Sequence, residues 1–412
     1  MAMNFLRSLT LSALLTAMAL PAFAQGNSGS YLAARQASYG NDYTAAALYY
    51  TRAIARDPSN PQLLENALLA DLSLGRVDTA LPIARKMVAD GIPSQLANLV
   101  IATGNAKAGD FQSILKDLGD ARDIGPLVDG LLLGWANLGA GNMTEALAAF
   151  DEVAKEPGLK GFASYHKALA LASVGDYESA EALYADETNG AIQMTRRGIL
   201  TLVEILSQLD RNDDAITLLT DLFGTGLDPD LLRTRDALVA GEKLPFTHVR
   251  NTTDGIAEIF YSLASALRTE ATPDYTLLYA RAAQYLRPDH FEALLLTAEL
   301  LELLERFTLA SDVYKQVPAD HPSYHAAELG RAEALRLEGK LDAAIEVLEQ
   351  LTRSHGDLSV VYSSLGDLLR QDLNFADAAT GAHSPALVSQ GKIAQVIAAK
   401  PTERRQMLEE AA

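Results

Sequence analysis

The chain has 412 residues, of which 53 are acidic and 34 are basic, and its net charge is −19. A surface of this sign repels nucleic acid and anionic lipid, which bind to clustered Lys and Arg, and no basic run in the sequence is longer than two residues. Because the chain has no cysteine, disulfides, thiolate metal sites, a cysteine nucleophile and a cysteine-linked lipid anchor are excluded.

The first 24 residues have the pattern of a secretory signal peptide. Arg7 is followed by an apolar run over residues 9–20, then by Pro21 and the small-residue pattern Ala22-Phe23-Ala24. This predicts cleavage after Ala24 and export, and a bacterial periplasm is the expected location. The apolar run is short for a membrane span, so we expect no integral membrane segment after cleavage; a retained anchor is the alternative.

A period of about 34 residues organises the rest of the chain. Alanine and leucine are abundant and alternating β-branched runs are nearly absent, which predicts an all-α protein. A turn with glycine and Asp or Asn recurs, and a helix is expected to begin after each such turn. These predicted helix starts are Tyr43, Val77, Phe111, Met143, Tyr177, Asn212, Pro273, Phe307, Leu341 and Phe375.

Each period is long enough for two helices joined by a tight turn. Neither helix can bury its apolar stripe alone, so successive pairs are expected to stack into a solenoid with small residues where helices cross. The spacing predicts an N-terminal array of about six units over residues 25–230 and a C-terminal array of about four units over residues 255–382.

An insertion is expected between the two arrays. The interval from Asn212 to Pro273 is 61 residues, and the excess falls over residues 231–254. Pro245, the β-branched residues and Asn251-Thr252-Thr253 favour an irregular segment over another helix pair. Two interpretations stay open: a loop without function, or a hinge or strap that folds into the groove of the solenoid.

The last predicted unit ends abnormally. Gly381 and Pro385 fall where its second helix would continue, and proline disrupts a helix interior. Ser384-Pro385 is a good helix start, so residues 383–412 are expected to form atypical capping helices. A shortened or frame-altered repeat array is the alternative.

At these residues the chain resembles the tetratricopeptide repeat (TPR) family. The resemblance covers residues 28 to 382 and includes the Gly-Asp/Asn-aromatic turn, an alanine three positions after it and a closing proline such as Pro58. The first helices also carry the small residue of the family, at Ala34, Gly134, Ala168, Ala264, Ala298, Ala332 and Gly366. The resemblance implies a right-handed superhelical α-solenoid of about ten repeats, and it says little about which partner is bound.

No motif for catalysis or cofactor binding stands out. A Walker phosphate loop, a G-x-S-x-G elbow and an H-E-x-x-H helix are all missing from the sequence. His321 and His325 are four residues apart, but Pro322 begins a helix between them and no third ligand is evident. We therefore expect a non-enzymatic protein without a cofactor or metal.

The concave surface of such a solenoid is the expected binding site. It is lined by the first helices, and helical periodicity identifies the side chains that face it. Apolar and aromatic candidates lie in the N-terminal array: Leu99, Leu131, Trp135, Leu138, Tyr165 and Leu169. Charged candidates lie in the C-terminal array: Glu299, Glu302, Glu333, Arg336, Asp367 and Arg370.

Trp135, the only tryptophan, has two open interpretations. It is either an exposed anchor for a peptide or helix, or a residue buried by tight coiling or by the insertion. The carboxylate clamp of the resembled family needs Lys and Asn where this chain has Leu131, Trp135, Tyr165 and Leu169, so binding of acidic chain ends is not expected.

Three functions remain open at this point. The first is a periplasmic adaptor that holds a peptide or helical segment of another protein in the groove, for instance in cell-envelope assembly or export. The second is a structural solenoid that associates with itself, and the third is a glycan or small-ligand binder. The sequence leaves the oligomeric state open.

Overall fold

The computed structural model describes residues 28–185, 192–224 and 226–380, and within these ranges the protein consists of helices and connecting segments. The all-α prediction is confirmed. The predicted signal peptide, and all of the predicted capping segment 383–412, lie outside the described residues.

Six helix pairs form the N-terminal array. Their bounds are α1 Ser28–Tyr39 with α2 Tyr43–Ile54, α3 Pro61–Ser73 with α4 Val77–Ala89, α5 Gln95–Ala108 with α6 Phe111–Gly119, α7 Pro126–Gly139 with α8 Met143–Val153, α9 Lys160–Ser173 with α10 Tyr177–Ala185, and α11 Arg196–Gln208 with α12 Asn212–Phe223. A single helix, α13 Pro229–Val239, follows the last pair and packs against α12.

Three further pairs and one long helix complete the described part. Their bounds are α14 Thr252–Leu267 with α15 Pro273–Leu286, α16 Phe291–Leu303 with α17 Phe307–Tyr314, α18 Tyr324–Leu337 with α19 Leu341–Ser354, and finally α20 Ser359–Thr380. Apart from α13 and α14, consecutive helices pack against each other along the chain, which is the arrangement of an α-solenoid.

One backbone position produces the turn inside most pairs. Two residues before the second helix, the chain adopts the left-handed conformation that glycine tolerates without steric cost. Glycine fills this position at Gly75, Gly109, Gly141, Gly175 and Gly339, while Asn41, Asp210 and Glu305 adopt it in three other pairs. Nine of the ten predicted helix starts coincide with the first residue of a helix. Pro273 is one of the nine, but no left-handed residue lies two positions before it.

The small residues of the first helices lie where helices touch. Ala34, Ala168, Ala264 and Ala298 are fully buried. At Gly134, an added Cβ would lie 2.4 Å from the Phe150 ring of the following helix, closer than atoms can approach. These positions set the spacing of the two helices within a unit.

The insertion differs from the expected irregular segment. Residues 229–239 form α13 and α14 already begins at Thr252, so only residues 240–251 are non-helical. The start of α13 has signals that the sequence prediction overlooked: Asp228 caps the helix by accepting hydrogen bonds from the Asp230 and Leu231 amides, and Pro229 occupies the first turn. Since α13 has no second helix, it ends the N-terminal array.

The predicted turn before Phe375 is also wrong. Helix α20 runs through this position without a break, from Ser359 to Thr380. No glycine precedes Phe375 to stop the helix, and the preceding residues Gln371 and Leu373 are good helix formers.

The chain reverses its course after α13. Residues 240–251, called the strap below, cross α11 and lead into α14 and α15, which pack on the concave face of the N-terminal array. Helix α14 contacts α5, α7 and α9, and helix α15 contacts α3 and α5. We call α14 and α15 the inserted pair. It occupies the N-terminal groove, which the sequence analysis had left as either exposed or buried.

Candidate functional site

The inserted pair buries most of the apolar residues that the sequence placed on the binding surface. Leu99, Leu131, Trp135 and Leu169 are at most 3% exposed, and they share one core with apolar residues of α14 and α15. Leu138 and Tyr165 are half-buried at the edge of the same core. In this structure the N-terminal groove is thus part of the protein interior, in line with the second interpretation of Trp135.

Trp135 packs against a glycine of the inserted pair. An added Cβ at Gly255 would lie 2.3 Å from the Trp135 ring, so only glycine lets the backbone of α14 approach the indole this closely. The Phe150 ring meets the indole edge-on, with 6.0 Å between ring centroids.

The polar edge of Trp135 has its own partners. Its Nε1 donates a hydrogen bond of 3.1 Å to Nδ1 of His166, and Nε2 of His166 lies 3.2 Å from the Ser262 hydroxyl on α14. Burial lowers the pKa of His166 to about 4, so the ring is neutral at pH 7 and its proton resides on Nε2, facing Ser262. The indole, the imidazole and the hydroxyl form a chain from α7 through α9 to α14.

A buried charged cluster fixes the inserted pair at its other side. Arg197 of α11 donates to both carboxylate oxygens of Glu258 on α14, at 2.8 and 2.9 Å, and to Glu292 of α16 at 2.8 Å. Tyr165 donates to Glu258 at 2.9 Å, and His290 lies 3.2 Å from the same carboxylate. The cluster joins four elements from both arrays.

The electrostatics of this cluster are governed by competing effects. Burial raises the pKa of Glu258, but Arg197 and His290 outweigh it, so the pKa is held well below its ordinary value. The pKa of Glu292 is lowered in the same way. Burial and the Glu258 charge together raise the pKa of Tyr165 well above its ordinary value. The carboxylates are ionised and the phenol is neutral at every physiological pH, which suits a structural clamp.

The strap lies over α11 and is held by its side chains. Glu204 accepts hydrogen bonds from the Thr247 amide at 2.8 Å and the Thr247 hydroxyl at 2.6 Å, and it lies 2.7 Å from the His248 ring. The Ser207 hydroxyl accepts from the Leu244 amide at 2.9 Å. The carbonyl oxygens of Thr247 and His248 accept from Arg287, which follows α15. The strap therefore acts as a fixed connection between α13 and α14.

The concave face of the C-terminal repeats remains accessible. Glu333, Asp367 and Arg370 are exposed, and Glu299, Glu302 and Arg336 are half-buried. Most of these charges pair along their own helix: Arg336 with Glu333 at 2.7 Å and Arg370 with Asp367. Glu299 instead bonds Arg268, at the end of α14, at 2.5 Å.

A cleft lies between α18 and α20 on this face. It has a volume of 350 Å³, and three of the predicted charged residues line it, together with apolar side chains at its base: Leu329, Ala332, Glu333, Arg336, Leu348, Ser364, Asp367, Leu368 and Gln371. The structure thus brings together Glu333, Arg336 and Asp367, and it separates them from the buried N-terminal candidates.

Glu302 is the C-terminal candidate whose pKa is shifted most from its ordinary value. Burial raises its pKa to about 7, and the neighbouring Glu333 and Glu299 carboxylates add to the effect, while the Tyr314 hydroxyl opposes it. One of its carboxylate oxygens is buried and has no hydrogen-bond partner among the described residues. The accessible face therefore has an uncompensated acidic position near its centre.

A second, larger cleft lies beside the charged cluster. It has a volume of 610 Å³ and is lined by the starts of α9 and α11 and by one stripe of α14: Gly158, Gly161, Phe162, Tyr165, Ile192, Gln193, Thr195, Arg196, Arg197, Glu258, Tyr261, Ser262, Ser265 and Ala266. Only Tyr165 belongs to the residues predicted from the sequence. Gly255 and Glu258 were missed although Gly255 directly precedes the apolar run of α14 and Glu258 interrupts it, and that interruption was the available signal.

The two histidines with metal-ligand spacing serve the local backbone instead. Nδ1 of His321 accepts from the Ser323 amide at 3.1 Å, and Nδ1 of His325 lies 2.8 Å from the Pro322 carbonyl. In the described part of the chain, no group of three or more His, Asp or Glu side chains has the arrangement of a metal site. The same part contains no helix with the length and apolar character needed to span a membrane.

Stacked helix pairs with a concave face define the class of this protein as an α-solenoid of short helical repeats. The sequence model of the tetratricopeptide repeat family matches residues 31–94, 131–191 and 304–358. These three segments are tetratricopeptide repeats, as the resemblance implied.

The chain is also similar to solved structures of low sequence identity. The TPR domain of P58(IPK) is 13% identical, with 84% of this chain and 99% of that chain covered and a TM-score of 0.24. The Cut9–Hcn1 hetero-tetramer of APC/C is 14% identical, with 85% and 76% covered and a TM-score of 0.29. The assembly chaperone of RpL4, Acl4, is 16% identical, with 78% and 100% covered and a TM-score of 0.27.

Two curated proteins match short parts of the chain. A chromosome partition protein Smc of Cereibacter sphaeroides is 44% identical over 108 residues, which are 24% of this chain and 9% of that protein. Another Smc, from Rhodopseudomonas palustris, is 70% identical over 40 residues, or 10% of this chain and 4% of that protein. The chain spans less than a tenth of either relative.

Proposed function

We propose that this protein is a non-enzymatic adaptor that holds a peptide or helical segment of a partner protein on the concave face of its C-terminal repeats. The observation that carries the proposal is the contrast between the two grooves. The N-terminal groove is filled by the inserted pair, whereas the C-terminal face presents charged side chains and the 350 Å³ cleft. Repeat proteins of this class generally use such extended concave surfaces for binding.

The cellular setting is part of the same proposal. The pattern of residues 1–24 supports export to the periplasm, where an adaptor of this kind would serve cell-envelope assembly or export. The acidic surface disfavours nucleic acid as a partner.

The proposal is tested by reversing charges on the C-terminal face. We expect the double variant Arg336→Glu with Arg370→Glu to recover less of its protein partners from a periplasmic extract, because the change removes two cationic side chains of this face that can pair with carboxylates of a bound segment. Arg353→Glu on α19 is the matched control, since it makes the same type of change on an exposed second helix. Equal recovery of every partner by wild type, control and double variant, with unchanged thermal unfolding, would contradict the proposal.

A small-ligand or glycan binder is the second candidate. The observation that favours it is the 610 Å³ cleft, which combines the aromatic side chains of Phe162, Tyr165 and Tyr261 with polar groups. This volume is in the range of a small-molecule site. If the charge-reversed variant still recovers its partners and substitution of Phe162 abolishes this recovery, the binding site lies in this cleft.

A further inference from the structure

A buried arginine without a carboxylate partner lies where the inserted pair meets the start of the solenoid. Arg281 of α15 is 5% exposed and packs against the turn after α3. Its Nε donates to the Ser73 carbonyl at 3.0 Å, and Nη1 donates to the Gln284 side chain at 3.0 Å. No carboxylate oxygen of the described residues lies within 4 Å of its guanidinium.

The other buried arginines of this contact region are compensated. Arg197 bonds Glu258 and Glu292, and Arg287 lies 3.3 Å from Asp289 and 3.9 Å from Asp254. Arg281 differs because its two acceptors are uncharged. An unpaired buried charge destabilises the folded protein. Removing one partner of a buried ion pair, which leaves such a charge, typically reduces stability by several kcal/mol.

Two buried hydroxyls at the same place also have no acceptor. Tyr43 of α2 and Ser73 of α3 are 2% and 1% exposed, and neither hydroxyl forms a hydrogen bond with the described residues. Burial raises the pKa of Tyr43 to about 12, and the Ser73 hydroxyl and the Arg281 charge are among the groups that oppose this rise. The phenol, the hydroxyl and the guanidinium are therefore neighbours.

The three groups are neighbouring hydrogen-bond donors. Burial lowers the pKa of Arg281 to about 10, which leaves the guanidinium protonated at neutral pH. The carbonyl end of α3 supplies partial negative charge, but a helix end carries only about half an elementary charge. The neutral acceptors Ser73 and Gln284 leave the charge of Arg281 unbalanced, and the Asp274 carboxylate, which acts on Tyr43, lies more than 4 Å from the guanidinium.

We propose that a small monovalent anion, of the size and charge of chloride, binds between Tyr43, Ser73 and Arg281. The anion neutralises the guanidinium and accepts from the two hydroxyls. It thereby links α2 and α3 of the first two repeats to α15, so the inserted pair is held in the N-terminal groove by an ion at one side and by the Arg197–Glu258 cluster at the other. The inference is independent of the function proposed above.

The anion dependence of unfolding tests this site. Wild-type protein is unfolded by urea in sodium chloride and in sodium gluconate of equal ionic strength, because gluconate is too large for a buried site. A ligand that binds only the folded state lowers the unfolding constant by the factor 1 + [L]/Kd, which is about elevenfold at ten times Kd. We expect the unfolding constant in gluconate to exceed that in chloride by a factor of this order. The same unfolding constant in both salts would overturn the proposal.

Two variants separate the site from general salt effects. Arg281→Met removes the charge while keeping an apolar side chain of similar length, a replacement that buried ion sites usually tolerate. We expect it to abolish the difference between the salts, and Tyr43→Phe to reduce it, whereas the exposed Arg85→Met retains the full difference. An unchanged chloride effect in Arg281→Met would place the ion elsewhere.

Crystals grown in sodium bromide give the position directly. We expect an anomalous difference peak between the Tyr43 hydroxyl, the Ser73 hydroxyl and the Arg281 guanidinium. Electron density there without anomalous signal would identify water and would overturn the assignment of an anion.

Discussion

At the residue scale, glycines and buried polar groups determine how the helices meet. Gly255 and Gly134 remove the side chains that would collide with Trp135 and Phe150. His166 then satisfies the only polar atom of the indole. The tryptophan is consequently fixed from two sides, by the repeat to which it belongs and by the inserted pair.

The neutral state of His166 makes the stability of the protein depend on pH. The pKa of His166 is about 4 in the folded protein against 6.5 for an unperturbed histidine, so between these values the unfolded chain binds a proton that the folded protein excludes. We expect the free energy of unfolding to fall as the pH decreases from 6.5 toward 4, and this contribution to be constant above 6.5.

Urea unfolding at several pH values checks this effect. His166→Gln keeps an acceptor for Trp135 and a donor for Ser262 but does not titrate, so its slope between pH 6.5 and 4.5 should be smaller by up to about 1.4 kcal/mol per pH unit. The pKa values of Glu258 and Glu292 are lowered in the folded protein, so these two carboxylates reduce the free energy of unfolding only below the pKa of an unfolded glutamate, near 4.5. Identical slopes for both proteins would mean that His166 is not the group that titrates.

At the element scale, the strap positions the inserted pair relative to the N-terminal array. Residues 240–251 cross α11 in an extended path and are bonded by Glu204, Ser207 and Gln208 of that helix. Burial raises the pKa of Glu204, but the adjacent His248 outweighs this and the pKa lies below its ordinary value. The ionised carboxylate can thus accept from the Thr247 amide and hydroxyl at once.

Glu204→Gln tests the strap. A carboxamide offers one acceptor oxygen where the carboxylate offers two, so at least one donor of the strap loses its partner, and because Thr247 is exposed the cost is about 0.5–1.5 kcal/mol. We expect this loss in the free energy of unfolding, together with faster amide hydrogen exchange at Thr247 and His248. Glu178→Gln, an exposed change on α10, is the control and should be within about 0.5 kcal/mol of wild type. Unchanged exchange at Thr247 would show that Glu204 does not hold the strap.

The helices could be predicted from the sequence because their signals are local. In most pairs a residue with a left-handed backbone lies two positions before the second helix, as before Val77 and Phe111. This residue recurs with the period of the repeat. Helix α13 was missed because the β-branched residues and Pro245 that follow it were weighed over the cap at Asp228. The break at Phe375 was predicted from spacing alone, and nothing in the local sequence ends α20 there.

The filled groove could not be predicted in the same way. A repeat pattern fixes which residues face the concave side, and Leu131, Trp135 and Leu169 do face it, but the pattern is the same whether that side meets water or other helices. The partner of Trp135 is 120 residues away in sequence, at Gly255. Only the interruption of the apolar run in α14 by Glu258 indicated a contact of this kind.

At the scale of the whole molecule, the solenoid has two halves with different roles. Helices α2–α9 share one core with the inserted pair, and this core continues into α16–α18, while the C-terminal repeats keep their concave face accessible. The first half therefore serves as a rigid base. Under the proposed function, the second half is where a partner binds.

The most direct test of this division uses the fluorescence of Trp135, the only tryptophan of the chain. With the inserted pair in the groove, we expect the emission of the folded protein to be shifted to short wavelength, and acrylamide to quench it only weakly compared with the protein unfolded in urea. Emission at the wavelength of a solvated indole, with strong quenching in the folded protein, would mean that the N-terminal groove is open and would contradict the account.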